Sequence, residues 1–314
     1  MTDLFHAPQD PDDTIDLAAI FSLHINDEID IKHIILDDGD RQVISDGQKV
    51  INQMQHITGS HISTSIGLAD ALTNINDDGI NQPEQYQEGV RAILNNLAES
   101  DEKVDIVCVG SLRDVAAAYN RNPQLMHEKA GRIFVFAGEA SNPDFTEYNV
   151  ELDRHAFVRV MQSGLDIYWL PCFDGGLWHN DYGRATYWRI EDQRILYENL
   201  SDNMKKFITF SLTANITDEI AYIEAPLDVP ALESLYGKER NLFCAAIFMY
   251  LNNYLRDGDN LYSFKEIGIE VLEDGDITYN DSSPLKVKQF YIKDMSRYNS
   301  EMTNRTISLL QRKQ

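Results

Sequence analysis

Five short apolar runs, each closed by a turn, constrain this chain more than any other feature. They cover residues 31–36, 62–66, 104–109, 133–137 and 167–171. Helical spacing of apolar residues fills most of the gaps, at about 14–24, 48–57, 86–97 and 112–119, and follows again from Asp153 as N-cap to Gln162. Runs as continuous as Val104-Asp105-Ile106-Val107-Cys108-Val109 suit strands buried on both faces, which is the pattern of a parallel sheet. Strands alternating with helices build βαβ units. The fold class expected is therefore α/β, a mostly parallel central sheet flanked by helices. Beyond residue 171 the reading gives helices at 203–212, 229–235 and 242–255. Turns at Asp257-Gly258-Asp259 and Asp274-Gly275-Asp276 then mark a C-terminal helical and hairpin region. No repeat or linker interrupts the pattern, so residues 1–314 are expected to form a single domain.

In a sheet of this kind ligands bind outside the carboxyl ends of the strands. Asp37 to Asp40, Gly110-Ser111, Gly138-Glu139 and Cys172 to Asp174 all follow predicted strands and should converge on one edge. Asp10-Pro11-Asp12-Asp13 leads into the first helix and belongs to the same edge. Two readings of these acids weigh equally from the residues alone. A helix N-terminus welcomes a solvated acidic cap. A dense cluster of hard oxygen donors is also what Ca²⁺ or Mg²⁺ takes. Residues 173–188 carry Phe173, Trp178, His179, Tyr182, Tyr187 and Trp188, which read either as an aromatic wall over a site or as packing on the core.

Composition narrows the partners. With 51 acidic and 27 basic residues the net charge is −24, which argues against nucleic acid and anionic membrane surfaces. No apolar run approaches a membrane span, and no charged-then-apolar leader is seen. Cys108, Cys172 and Cys244 lie far apart in apolar segments without metal-type spacing, as buried thiols of a reducing compartment do. A cytoplasmic location is the expectation.

Taken in order, the segments resemble the nucleoside hydrolase family (inosine–uridine preferring type) from about Asp3 to Cys244. Asp12-Asp13 matches the family's Asp pair before a helix, and Gly39-Asp40 its Gly-Asn turn. Gly110-Ser111-Leu112-Arg113-Asp114 stands for its Gly-Pro-Leu-Thr-Asn, and Ala137-Gly138 for its Gly-Gly. Ser141-Asn142, Glu147-Tyr148-Asn149 and Asp153, with Ser163-Gly164-Leu165 and Pro171, form the best-matched block.

The resemblance implies calcium-dependent hydrolysis of the N-glycosidic bond of a ribonucleoside or related N-riboside, by attack of a metal-activated water with a carboxylate as base. It implies a small-molecule nucleoside as partner, and self-association into a homo-oligomer. Asp13 would ligate Ca²⁺, Asp12 would contact the ribose hydroxyls, and Asp10 is the candidate metal-binding base. The family's register for that base falls on Pro8, so the turn is rebuilt and Asp3 is a rival. Arg113 stands where a backbone carbonyl ligates the metal. Asn142, Glu147 and Asn149 would hold the sugar, with Asp40 beside them. The family's late His-Asp pair aligns with Arg240-Asn241. Asn241 would ligate through its carbonyl with one negative charge fewer. Arg240 stays charged and cannot act as the acid, though it can pair with a carboxylate or phosphate. His179 is the candidate replacement, weighed against a plain surface histidine, and Trp178 would stack on the leaving group. These departures keep two alternatives open: a ligand-binding protein without turnover on the same fold, or a hydrolase of another glycoside.

Overall fold

Every strand expected before residue 171 forms. The computed structural model describes residues 1–7, 12–212, 218–251 and 261–312. Strands β1 (Ile34–Leu36) and β2 (Thr64–Ile66) pair in parallel. Strands β3 (Val104–Cys108), β4 (Ala130–Val135) and β5 (Asp166–Trp169) form a parallel ladder. Thr2 joins the two groups. It bridges Leu36 on one side and Val109 on the other, with its N–H on Ile35 O (2.9 Å) and its carbonyl on Asp37 N–H (2.8 Å).

The alternation of side chains across the sheet explains the apolar runs. Phe134, Phe136, Tyr168 and Leu170 point into one hydrophobic cluster. Their neighbours Ile133, Val135, Ala137, Ile167 and Trp169 point into another. A strand covered on both faces needs an apolar residue at every position.

The second half of the chain is where sequence and structure part. Strands β6 (Trp188–Ile190) and β7 (Arg240–Leu242) make an antiparallel pair outside the main sheet. Leu242, expected to open a helix, is instead paired with Trp188, and the helix spans Ala245–Leu251. Strands β8 (Tyr262–Val271), β9 (Ile277–Tyr279) and β10 (Lys286–Ile292) form an antiparallel meander. β10 then runs parallel to β5, giving the order β3-β4-β5-β10-β8-β9. The expected turn at Asp274-Gly275-Asp276 is the β8–β9 hairpin, while Asp257-Gly258-Asp259 lies outside the described residues. The helix Met295–Leu310 packs on the first helix, Asp12–Ile25, where Ser22 Oγ donates to Leu309 O at 2.9 Å. Among the described residues no helix is long and apolar enough to cross a membrane.

Candidate functional site

The strand ends converge as the parallel pattern requires, and a single buried carboxylate fastens two of them. Asp37 follows β1 and accepts the Ser111 N–H (2.6 Å) and Ser111 O–H (2.8 Å) from beyond β3. Asp114 lies behind it, with burial and then the Asp37 charge pushing its carboxyl up to about 7. Gly67 and Gly89 make room for that side chain, since a Cβ on either would meet its oxygens at 2.2 and 2.5 Å.

The first helix delivers its acids into this edge from its first turn. Asp12 and Asp13 are only 6 % and 8 % exposed, so the solvated-cap reading does not hold. The helix is enclosed by the helices Gln48–Thr58, Ala245–Leu251 and Met295–Leu310, which shield nearly its whole length. Thr2 Oγ1 reaches Asp13 at 3.4 Å. Asp16, one turn on, is also buried. Ligating atoms of Asp12, Asp16 and Cys244 lie within 4.8 Å of one another. Asp10 lies outside the described residues.

Two cysteines tie distant segments to these acids. Burial pushes the Cys172 thiol well up, and the charges of Glu147, Asp12 and Asp3 push the same way. Burial does the same to Cys244, with Asp16, Asp12, Cys172 and Asp13 adding to it. All three cysteines are free and buried, as expected. The Cys172 thiol donates to Glu147. Burial raises Glu147 to about 7, against donation from Asn149 N–H (3.0 Å), Gly138 N–H (2.8 Å), Val150 N–H and that thiol. Asn149 donates to Phe136 O at 3.0 Å. Asn142 uses its Oδ1 on the Asp144 N–H, which leaves its amino group as a donor.

Glu139, unremarked in the sequence beyond its place at a strand end, binds the sugar-side loop to the aromatic one. It accepts Ser141 N–H (2.7 Å), Ser141 O–H (3.2 Å), Asn142 N–H (3.1 Å), Gly175 N–H (2.8 Å) and Gly176 N–H (2.9 Å). The aromatic residues split between the two readings. Phe173 is buried and contacts the rings of Phe145, Trp178, Tyr187 and Phe243 at 5.4–5.9 Å between centroids. Trp178 remains 45 % exposed at the rim. Tyr187 donates its hydroxyl to Asn241 Oδ1 at 3.0 Å, which sets the aromatic cluster directly beside Asn241.

The remaining candidates have partners of their own. The Arg240 guanidinium donates to Gln193 Oε1 (3.1 and 3.3 Å), which also accepts from Tyr197. Asp40 is exposed and hydrogen-bonded by Tyr86. His179 is exposed, with Nδ1 at 3.2 Å from Asp181. The Arg113 side chain is buried against Asp153 (3.3 Å) and the carbonyls of Leu68, Ala69 and Leu152 (2.7–3.2 Å), leaving only its backbone for any metal.

The donor set fits a hard divalent cation. Carboxylates of Asp12, Asp13 and Asp16 share one buried neighbourhood with the half-buried Asp3 acting on it through Cys172, and the half-buried Asn241 carbonyl belongs to β7, which packs on the same helix. Cys172 was expected at this edge from its place after a strand, whereas Asp16 and Cys244 were missed because nothing local marks them. The only signal was the one-turn spacing of Asp12 and Asp16.

Residues 9–227 match the family model described as inosine-uridine preferring nucleoside hydrolase. Over 237 residues the chain is 25% identical to the pyrimidine-specific ribonucleoside hydrolase RihA of Escherichia coli O81 (strain ED1a), covering 68% of this chain and 73% of that protein. In structure it resembles the inosine-uridine preferring nucleoside hydrolase of Bacillus anthracis (TM-score 0.54, 15% identity, 94% of this chain and 96% of that one). It also resembles the plant nucleoside hydrolase PpNRh1 (TM-score 0.58, 17% identity, 95% and 94%). At these identities the structural likeness speaks for the fold.

Proposed function

Because this chain belongs to the inosine-uridine preferring nucleoside hydrolase family, whose reaction is hydrolysis of the N-glycosidic bond of nucleosides, we propose that it is a calcium-dependent ribonucleoside hydrolase. What supports this most is the burial of the neighbouring Asp12 and Asp13 in one helix turn, with Glu147 brought to the same Cys172 as Asp12 from a segment far along the chain. We take the chain to act as one domain on a small nucleoside in the cytoplasm. Its charge of −24 speaks against nucleic acid.

Asp10, Asp13, Asn241 and the Arg113 carbonyl would hold Ca²⁺. When bound, the ion would supply a polarised water and an anchor for vicinal hydroxyls. The chain's own groups do the rest. Asp12 accepts from the ribose hydroxyls. Asn142 donates an amide N–H to the sugar, and Glu147 and Asn149 receive it from the far side. Asp10, or Asp3 as its rival, takes the proton of the attacking water. The cluster of Phe173, Tyr187 and Phe243 excludes water beside Asn241, and Trp178 at its rim offers a face to the leaving base.

A second reading, binding without turnover, draws on one observation. Arg240 is engaged by Gln193, and His179 sits exposed with Asp181, so neither presents an obvious proton for a departing base. The test is reducing-sugar release from purine and pyrimidine nucleosides, with Ca²⁺ or a chelator, comparing wild type with Asp13→Ala. Turnover that both the chelator and the substitution abolish is expected. A folded wild type that hydrolyses no nucleoside while still binding Ca²⁺ would move the assignment to the second reading.

A further inference from the structure

On the hydrolase reading, on which this inference rests, breaking the N-glycosidic bond leaves its electron pair on the base. Arg240 is engaged by Gln193 and His179 sits exposed with Asp181, so neither presents an obvious proton for that base. A fixed cation is the other way to stabilise it, because donors aimed at developing charge act without giving up a proton. We propose that Arg41 is a catalytic residue: its guanidinium donates to the departing base and balances the negative charge that the base carries away.

Three segments of the site meet at this side chain. Arg41 lies on the helix Gly39–Ile44, which opens just after Asp37 at the end of β1. Its Nη1 donates to the Tyr148 hydroxyl at 3.1 Å, and its guanidinium carbon lies 3.8 Å from the centroid of the Phe5 ring. Tyr148 stands between Glu147 and Asn149, and Phe5 two residues beyond Asp3. Glu147 is 4 % exposed and accepts the Gly138 N–H, whereas Tyr148 is 46 % exposed. The acid that holds the sugar is therefore inside, and the Arg41–Tyr148 pair lies at the solvent side, which a departing base must pass.

The partners of Arg41 leave its charge intact. A phenol and a phenyl ring are neutral, and the hydrogen bond to Tyr148 uses one of five guanidinium N–H donors. Among the described residues no carboxylate forms an ion pair with Arg41, although Asp38 feels its charge. Arg113 and Arg184, by contrast, are bound to the buried Asp153 and Asp174. A guanidinium stays protonated, so Arg41 is not an acid. The water oxygen bonds to the anomeric carbon as the C–N bond breaks. The water's proton goes to the carboxylate base, and the C–N electron pair leaves with the nucleobase. That anion then takes a proton from solvent, and the carboxylate returns its own.

The test compares leaving groups on the full chain with Ca²⁺: inosine and uridine against p-nitrophenyl riboside, whose phenolate departs without help. Arg41→Met keeps the stem over Phe5 and removes the charge and the donors. It should lower kcat for inosine and uridine about 100-fold, the effect of losing one donor to a developing anion, and kcat for the p-nitrophenyl riboside by less than about three-fold. Arg41→Lys keeps the charge and should recover about ten-fold of the loss. Tyr148→Phe, which removes the hydroxyl that holds the guanidinium, should slow the nucleosides by about three-fold and leave the p-nitrophenyl riboside unchanged. Equal losses on all three substrates, or no loss on the nucleosides, would overturn the role of Arg41 alone. A wild type that cleaves no nucleoside would overturn it together with the hydrolase reading.

Discussion

Replacing Arg113 with Met tests whether this side chain is a structural clamp rather than part of the metal site. The guanidinium is 5 % exposed and faces Asp153, whose side chain is fully buried. It also satisfies the carbonyls of Leu68, Ala69 and Leu152, and so joins the loop after β2, the helix Arg113–Arg121 and the end of the helix Tyr148–Leu152. Methionine keeps the apolar stem and removes every donor. Breaking a buried pair from one side typically costs about 3–5 kcal/mol. Asp153 keeps the N–H groups of Leu72 (2.7 Å) and Ala156 (2.9 Å), which places the expected loss at the lower end, about 3 kcal/mol. An unfolding entropy of about 2.1 cal/mol/K per residue over 314 residues amounts to roughly 0.7 kcal/mol/K, so Tm should fall by about 4–5 °C. Adding Asp153→Asn removes the stranded charge and should recover part of that loss. Urea unfolding and calorimetry measure both variants. A loss under about 1 kcal/mol, or a double variant no more stable than the single, would refute the clamp. Because only the backbone of residue 113 could ligate, the folded Met variant should bind Ca²⁺ like wild type, and a ten-fold weaker affinity would contradict this geometry.

Asp114 predicts a pH dependence. Its folded carboxyl titrates at about 7 against about 3.9 unfolded, so the folded state holds the extra proton and stability should decline as pH rises from about 4 to about 7, then level off. Asp114→Asn should flatten that decline, and melts at several pH values that show the same slope in both proteins would disprove it. Glu139→Gln turns one acceptor toward the Gly176 N–H into a donor, which costs about 1–3 kcal/mol. Because the contact orders the sugar-side and aromatic loops, steady-state kinetics should show KM rising about ten-fold with kcat less affected, and an unchanged KM counts against the coupling. Tyr187→Phe removes the hydrogen bond to Asn241 and should weaken Ca²⁺ by about ten-fold in a calorimetric titration. Equal affinity would detach Asn241 from the metal.

The parts of this protein readable from sequence are those with a local physical signature. Strands β4 and β5 announce themselves because burial on both faces demands an apolar residue at nearly every step, and β3, half-buried at the end of the six-stranded sheet, carries the same run with Val107 toward one cluster and Val104 and Ile106 toward the other. The first helix, the Asp153 N-cap and the 274–276 turn follow from short-range chemistry in the same way. The resemblance to nucleoside hydrolases rests on residue types in order, which needs no coordinates. Strands β6 and β7 escape that logic. Arg240-Asn241-Leu242 has no period of its own, and its pairing with residues 188–190 is set by contacts across some fifty positions. Burial escapes it as well. A solvated acidic cap and a buried carboxylate cluster have the same sequence, and only the enclosure of the first helix by three others decided between them. The meeting of Cys172 and Cys244 with Asp3, Asp12, Asp13 and Asp16, and the commitment of Arg113 to Asp153 and of Arg240 to Gln193, are likewise facts of long-range packing. Sequence determined which chemistry the strand ends could carry. Tertiary structure decided which of those groups face one another, because that depends on how distant segments close around them.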